Sequence, residues 1–130
     1  MKYSKLTPNL IVEDVSRSLS FYTEKLGFTR FMTVPEAEPF IFAGVVKDGV
    51  EIFLNQKQMM VSLKPEIARE KSGGWMSTMY IETENVDALC AEFEAKGVKI
   101  VEPLKTQFYG MREFIIVDPD GWLIIFASKA

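Results

Sequence analysis

The sequence contains no histidine among its 130 residues. This absence excludes a Ser-His-Asp triad, general acid–base catalysis by imidazole, and zinc sites built on histidine. The chain also has one cysteine, Cys90, which excludes an intramolecular disulfide bond and a cysteine-rich metal site. A reducing, cytoplasmic location is the simplest expectation for such a chain. Any chemistry would therefore have to use carboxylates, lysine, tyrosine, serine, threonine or the single thiol.

Long hydrophobic runs and an excess of basic charge are lacking as well. No stretch of about 18 apolar residues occurs, so we expect no membrane span, and the N-terminus lacks the apolar core of a secretory signal. The 15 Lys and Arg against 18 Asp and Glu give a net charge of −3 without a basic block, so nucleic acid is not an expected partner. With 48% hydrophobic and 25% charged residues, the composition is that of one soluble globular domain, residues 1–130.

A pattern of strand, helix and glycine occurs twice, about 70 residues apart. The first copy runs from Leu10 to Phe28 and the second from Tyr80 to Val98. Apolar residues recur in both at three- and four-residue spacing, which predicts a helix with one face on a sheet. The expected caps are Asp14 or Ser16 and Asn85 or Asp87 at the N-termini, and Gly27 and Gly97 at the C-termini.

Three strand-like runs follow each helix. They span residues 29–34, 39–47 and 50–55 in the first half, and 98–103, 111–117 and 122–128 in the second. Lys47-Asp48-Gly49 and Asp118-Pro119-Asp120-Gly121 are hairpin-like turns between the last two runs of each half. We therefore predict an α+β fold of two tandem βαβββ modules. The modules are residues 5–56 and 76–130, and residues 57–75 are predicted to be a connecting loop with a turn of helix after Pro65.

The repeated order and two motifs resemble the glyoxalase/bleomycin-resistance/extradiol-dioxygenase (vicinal oxygen chelate) superfamily. The motifs are PNLIVEDVSRSLSFYTEKLGF at the front and QFYGMREFIIVDPDGWLIIFAS at the back. Gly-x-Arg-Glu-Phe before Asp-Pro-Asp-Gly looks most like the bleomycin-resistance branch. The resemblance covers essentially the whole chain, and it implies curled mixed sheets around a cleft and a homodimer.

The resemblance also implies where metal-dependent members of the superfamily would hold a divalent ion. Those positions, near the first strand and on the last strand of each module, are Thr7, Phe53, Thr78 and Ile125. None of these side chains is a normal ligand of a divalent transition metal. A register slip of two would place Glu51 at the position of Phe53, but one carboxylate cannot make a site. We therefore expect no metal and no cofactor, and no metal-dependent glyoxalase or dioxygenase activity.

Alternation along the predicted strands separates a mixed face from an apolar face that should pack on the helices. The mixed face is expected to line the cleft, although a merely solvated face is the simpler alternative. The candidate ligand-binding residues are Thr7, Asn9, Phe40, Phe42, Glu51, Phe53, Trp75, Thr78, Tyr80, Phe108, Tyr109, Arg112 and Ile125.

The sequence allows more than one role for Arg112 and for Cys90. Arg112 and Glu113 should point to opposite faces of strand 111–117, and the sequence leaves open which of them faces the cleft. Arg112 could instead make a structural ion pair with Asp118 or Asp120. Cys90 lies in the apolar stripe of the second helix and is expected to be a buried small hydrophobe.

Three functions are compatible with this pattern. The first, implied by the resemblance, is a metal-independent small-molecule binding protein that sequesters a planar, cationic ligand in clefts at a homodimer interface. Aromatic residues would stack on that ligand, and Glu51 or Glu113 would meet its charge. The second is a metal-independent isomerase or lyase in which Glu51 or Glu113 acts as the base. The third is a ligand-sensing or interaction subunit.

Overall fold

The structure is a computed structural model that describes residues 1–65 and 78–130. The chain divides into two compact units, Met1–Lys71 and Ser72–Ala130. Each unit contains one four-stranded mixed sheet, which confirms the α+β fold with paired modules. No helix within the described ranges is both long enough and apolar enough to cross a membrane.

The described residues of the first unit, 1–65, form four strands and two helices. The strands are β1 (Asn9–Val12), β2 (Thr29–Val34), β3 (Phe42–Lys47) and β4 (Val50–Gln56). Helix α1 (Val15–Ser20) continues into a π-helical turn, Phe21–Lys25, and helix α2 spans Lys57–Leu63. The sheet order is β1-β4-β3-β2, with β1 parallel to β4 and the other pairs antiparallel.

The second unit repeats this topology. Its elements are β5 (Met79–Glu82), α3 (Val86–Ala95), β6 (Ile100–Thr106), β7 (Met111–Val117) and β8 (Leu123–Lys129). The order β5-β8-β7-β6 again places the first strand parallel to the last strand of the unit. The first and last strands of each unit are therefore neighbours.

The helix caps follow directly from local chemistry. The Asp14 side chain accepts a hydrogen bond from the Arg17 backbone N–H at 3.1 Å, and the Asn85 side chain accepts one from Ala88 at 3.0 Å. Each satisfies a donor that the first helical turn leaves free, which confirms the first candidate of each pair. Gly27 and Gly97 have φ values of 81° and 76°, which confirms the left-handed conformation expected after each helix.

The core of the second unit is a packed set of aromatic rings between α3 and its sheet. Phe93 of α3 makes edge-to-face contacts with Phe114 and Phe126, with ring centroids 5.9 and 5.2 Å away. Phe114 and Phe126 stack on each other at 5.5 Å. All three rings are buried, so this face of the sheet belongs to the helix.

Cys90 is buried in the same region, as predicted for a small hydrophobe. Its thiol also donates a hydrogen bond to the Glu94 carboxylate, with the sulfur and oxygen 3.3 Å apart. Burial, together with this hydrogen bond, raises the pKa of Cys90 to about 11. Cys90 is therefore a neutral thiol near pH 7, which is the form with little nucleophilic reactivity.

Three elements differ most from the sequence prediction. Helix α2 occupies residues that were predicted to be loop, because Lys, Gln, Met and Leu are good helix formers even in a polar stretch. Residues 66–75 of that predicted loop lie outside the described residues. Strand β3 begins at Phe42 rather than at Pro39, which cannot donate to a ladder. Strand β6 extends to Thr106, with register shifts on both sides of Glu102.

Candidate functional site

One face of the first sheet carries a row of phenylalanines that we call the aromatic face, consisting of Phe31, Phe42 and Phe53. The centroid of the Phe53 ring lies 5.2 Å from that of Phe42 and 6.4 Å from that of Phe31. Phe31 is 46% exposed, and the other two rings are half-buried. This face is the one predicted to be mixed, and part of its ring surface is exposed.

Phe31 reaches this face through a local irregularity that the sequence analysis missed. The pairing of β2 with β3 shifts register between Arg30 and Met32, so Phe31 lies at a bulge. Gly44 of β3 lies directly beneath its ring, and a Cβ at Gly44 would be 2.6 Å from the Phe31 Cζ. A glycine inside a central strand is the signal that could have indicated this close approach.

The polar residues of the same face are already engaged with one another. Glu51 forms an ion pair with Lys5, and the Asn55 side chain donates to that of Asn9. Thr7 is half-buried just before β1. Glu51 therefore has a counter-charge within its own unit, which weakens its candidacy as a base or as a receptor for a cation.

The second unit contains a tyrosine–glutamate cluster, formed by Tyr80, Tyr109 and Glu113. The Tyr80 hydroxyl donates to one carboxylate oxygen of Glu113 at 2.5 Å, and the Tyr109 hydroxyl donates to the other at 2.7 Å. Glu113 is only 6% exposed, whereas Tyr80 and Tyr109 are 48% and 54% exposed. A buried carboxylate is thus covered by two tyrosines that reach solvent.

Within residues 1–65 and 78–130, the Glu113 carboxylate contacts only neutral donors. The ion pairs found within residues 1–65 and 78–130 do not include Glu113, although Lys105 is its register partner on β6. Buried glutamates are almost always paired with a cation or a metal. The hydrogen bond to Glu113 is the main reason that the pKa of Tyr80 rises to about 12, and burial of the hydroxyl adds to it. The same contact raises the pKa of Tyr109, so both phenols are protonated donors near neutral pH.

This coupling predicts a measurable alkaline transition. Because the folded protein holds the Tyr80 proton more tightly than the unfolded chain, the associated stability is complete below pH 10.0 and is lost as the pH rises to about 12. We expect Glu113→Gln to move the pKa of Tyr80 back towards its ordinary value of 10.0. The absorbance of the phenolate is followed during an alkaline titration of the unmodified protein and of the Tyr80→Phe variant. The difference between the two curves gives the titration of Tyr80. A Tyr80 that titrates near 10.0 in the unmodified protein would contradict the hydrogen bond.

Arg112 lies on the opposite face of β7 and contacts the helix. Its Nε donates to the Asp87 carboxylate of α3 at 2.6 Å, so the predicted ion pair with Asp118 or Asp120 is wrong. The Asp118 carboxylate instead accepts the backbone N–H of Asp120 within the turn. Glu113, rather than Arg112, is therefore the residue that shares a face with the tyrosines.

The remaining candidates are dispersed. Phe40 is buried on the helix side of the first sheet, where the Arg30 guanidinium lies 5.8 Å from its ring centroid, so it is separate from the aromatic face. Phe108 is 98% exposed and makes an edge-to-face contact with Tyr109. Thr78 is exposed just before β5. Trp75 lies outside the described residues.

The positions at which the superfamily would hold a metal do not offer a donor set. Ile125 is the register partner of Tyr80, and Phe53 pairs with Asn9 near Thr7. The side chains of Ile125 and Phe53 have no donor atom, and neutral threonine hydroxyls are weak ligands. Within residues 1–65 and 78–130, no three His, Cys, Asp or Glu residues are grouped so that they could hold an ion. The residues present do not fit a divalent cation.

A family model, a sequence relative and solved structures are all similar to this chain. The model of the Glyoxalase/Bleomycin resistance protein/Dioxygenase superfamily matches residues 6–126. A bleomycin resistance protein of Geobacillus stearothermophilus is 30% identical over 132 residues, covering 94% of this chain and 94% of the relative. A glyoxalase/bleomycin resistance protein/dioxygenase from Nocardioides has a similar structure, with a TM-score of 0.80 at 23% identity over 99% of this chain and 85% of that chain. TnmS3, an antibiotic binding protein from Streptomyces sp. CB03234, has a TM-score of 0.74 at 24% identity over 100% of this chain and 99% of that chain.

Proposed function

Because this chain belongs to the glyoxalase/bleomycin resistance protein/dioxygenase superfamily, we propose that it is a small-molecule binding protein that sequesters a planar, cationic ligand. The observation that carries the proposal is the buried Glu113 carboxylate, whose only observed hydrogen-bond donors within the described residues are the hydroxyls of two exposed tyrosines. The 30% sequence identity with a bleomycin resistance protein and the structural similarity to an antibiotic binding protein support binding as the function.

The physical reason concerns the burial of negative charge. Removing a carboxylate from water is unfavourable unless hydrogen bonds and a counter-charge compensate for the loss of hydration. The tyrosines supply hydrogen bonds, but they leave the charge of Glu113 in place. A ligand cation against the cluster would neutralise that charge. It would also be attracted by the faces of Tyr80 and Tyr109, a contribution of about 0.5–2 kcal/mol for each favourable ring.

The aromatic face, taken within the first unit alone, offers a stacking surface for a planar ligand. Offset and edge-to-face ring pairs contribute about 0.5–1.5 kcal/mol beyond the burial of their area. Phe31 is the most accessible of the three rings, and its position over Gly44 leaves its ring available for stacking. We include a homodimer, a cytoplasmic location and independence from metals in the proposal, as the sequence predicted.

An enzymatic role for Glu113 is less well supported by the geometry. Both of its carboxylate oxygens already accept a tyrosine hydroxyl, so a proton taken from a substrate would have to displace or compete with one of these contacts. Glu51, the other candidate base, is paired with Lys5. These two engagements favour sequestration over isomerase or lyase chemistry.

A thermal-shift screen on EDTA-treated protein tests the proposal. The probes are bleomycin, neutral planar aromatic compounds, glutathione conjugates, and Ni²⁺, Mn²⁺ and Zn²⁺ in separate wells. A ligand at 100 times its Kd stabilises by about 2.7 kcal/mol, which raises the melting temperature by roughly ten degrees in a domain of this size. We expect this shift with bleomycin and none with the metals. A metal shift alone would contradict the proposal.

A matched pair of variants then tests the aromatic face. Phe31→Ala is expected to weaken bleomycin binding by about 2- to 10-fold, because one stacking ring is lost. Tyr3→Ala removes another exposed ring, and it should leave the affinity unchanged because Tyr3 is 102% exposed in the N-terminal segment. Equal losses in both variants would show that the aromatic face is not the stacking surface.

A further inference from the structure

A second groove lies on the helix side of the first unit, opposite to the aromatic face. Its volume is about 520 Å³, and it runs between the α1 segment with its π-helical turn and the start of β2. Sites for small molecules are typically about 300–1,000 Å³. The apolar lining consists of Leu19, Phe28 and Phe40, which are 7%, 7% and 6% exposed. The groove therefore has the volume of a small-molecule site, and three largely buried apolar side chains form part of its lining.

The rim of this groove carries two opposite charges that do not neutralise each other. Arg30 and Glu38 both line it, and the ion pairs within residues 1–65 and 78–130 include neither. The Arg30 guanidinium lies 5.8 Å from the centroid of the Phe40 ring. This cation–π contact orients the guanidinium, whose N–H groups could donate to an anion; no hydrogen bond from them is found to another residue within 1–65 and 78–130. One carboxylate and one guanidinium are thus available over a shared apolar floor.

The helical wall of the groove has an irregular backbone. Thr23, which lines the groove, lies in the π-helical turn Phe21–Lys25, and π-helical turns are found frequently at functional sites. The Thr23 hydroxyl donates to the Leu19 carbonyl at 2.8 Å. Its oxygen keeps lone pairs that can accept a further hydrogen bond. The wall therefore adds a polar acceptor close to the apolar floor.

We propose that this groove binds a small zwitterion with an apolar side chain, such as a free amino acid. The ligand carboxylate would receive hydrogen bonds from Arg30, its ammonium group would donate to Glu38, and its side chain would lie on Phe28 and Phe40. A purely anionic ligand would be repelled by Glu38, and a purely cationic one by Arg30. This site lies in the first unit, whereas the tyrosine–glutamate cluster belongs to the second, and the proposal does not depend on the proposed function.

Three probes with the same ring and different charges test the assignment. These are L-phenylalanine, which is zwitterionic, 3-phenylpropanoate, which is anionic, and phenethylamine, which is cationic. We expect L-phenylalanine to bind at least about tenfold more tightly than either analogue, since only it satisfies both charges. Two-dimensional amide NMR titrations give the affinities, and the shifts should concentrate at Ser20, Thr23 and Thr29, which line the groove.

Charge-neutralising variants complete the test. Arg30→Gln should weaken L-phenylalanine and 3-phenylpropanoate while sparing phenethylamine, and Glu38→Gln should weaken L-phenylalanine and phenethylamine while sparing 3-phenylpropanoate. Arg17→Gln is the control, because it removes the same charge from α1 without belonging to the groove lining. The proposal is overturned if the three probes bind equally, if shifts fall elsewhere, or if Arg17→Gln acts like Arg30→Gln.

Discussion

Phe114→Ala is expected to lower the free energy of unfolding by about 3–5 kcal/mol. The Phe114 ring is fully buried, with 0% exposure, and it packs against both Phe93 and Phe126. Its removal would leave a cavity between α3 and the sheet that the two remaining rings can only partly fill. The lost contacts and the cavity both lower the free energy of unfolding.

Urea unfolding followed by circular dichroism measures this change. Phe108→Ala is the matched control, because it deletes the same atoms from a residue that is 98% exposed. We expect the control to change stability by no more than about 0.5 kcal/mol. Similar effects in the two variants would mean that the aromatic core of the second unit is packed differently from the structure described.

Glu113→Gln is expected to weaken the binding of bleomycin by about 30-fold or more. Removing one member of a buried charge pair typically costs about 2–5 kcal/mol, part of which is the penalty for leaving the other charge unpaired. Glutamine keeps the size of the side chain and one carbonyl acceptor for a tyrosine hydroxyl. The variant therefore tests the charge of the cluster more than its shape.

Isothermal titration calorimetry at fixed salt measures this effect, with circular dichroism showing that the variant is folded. Glu92→Gln removes the same charge from an exposed position on α3, and it should leave the affinity within about twofold, since distant surface charges are screened. If both variants lose affinity equally, the loss comes from the change in net charge and not from the position of Glu113. If Glu113→Gln binds as well as the unmodified protein, Glu113 does not meet the ligand cation.

Features that depend on neighbouring residues could be predicted well from the sequence. The caps at Asp14 and Asn85 and the left-handed glycines Gly27 and Gly97 each depend on a few consecutive residues. The repeat of these signals, the turn that ends at Gly121 and, chiefly, the family resemblance carried by the two motifs predicted the fold class. Alternation along the strands also separated the apolar from the mixed faces, because side chains of a strand point alternately to each side.

Features that depend on long-range pairing could not be predicted in this way. Arg112 pairs with Asp87, which lies 25 residues away, because both reach the helix side of the sheet. Tyr80 and Tyr109 were individually named as candidates, but their convergence on Glu113 depends on the pairing of β5, β7 and β8. A sequence shows which hydroxyls and carboxylates exist, and only the register of the strands shows which of them meet.

The bulge at Phe31 is a further example of a feature hidden from alternation. A register shift of the β2–β3 pair changes which side chains point to each face, so the period-two pattern no longer assigns them correctly. Phe40 and Phe42 show a second failure of the alternation, since they lie two residues apart yet fall on different sides of the sheet. Phe40 precedes β3, and the ladder that would fix its side has not yet begun.

The sheet order has a consequence for synthesis on the ribosome. In each unit the last strand to be made lies between the first strand and the remaining two. The first sheet therefore stays incomplete until β4 leaves the exit tunnel of the ribosome. Once Gln56, the last residue of β4, has emerged, all four strands of this sheet are outside the tunnel. The nascent chain can thus satisfy all the backbone pairing of its first half while the second half is still being translated. Once β4 has paired, the inner strands β3 and β4 each have a neighbour on both sides, and β1 and β2 form the edges of the sheet.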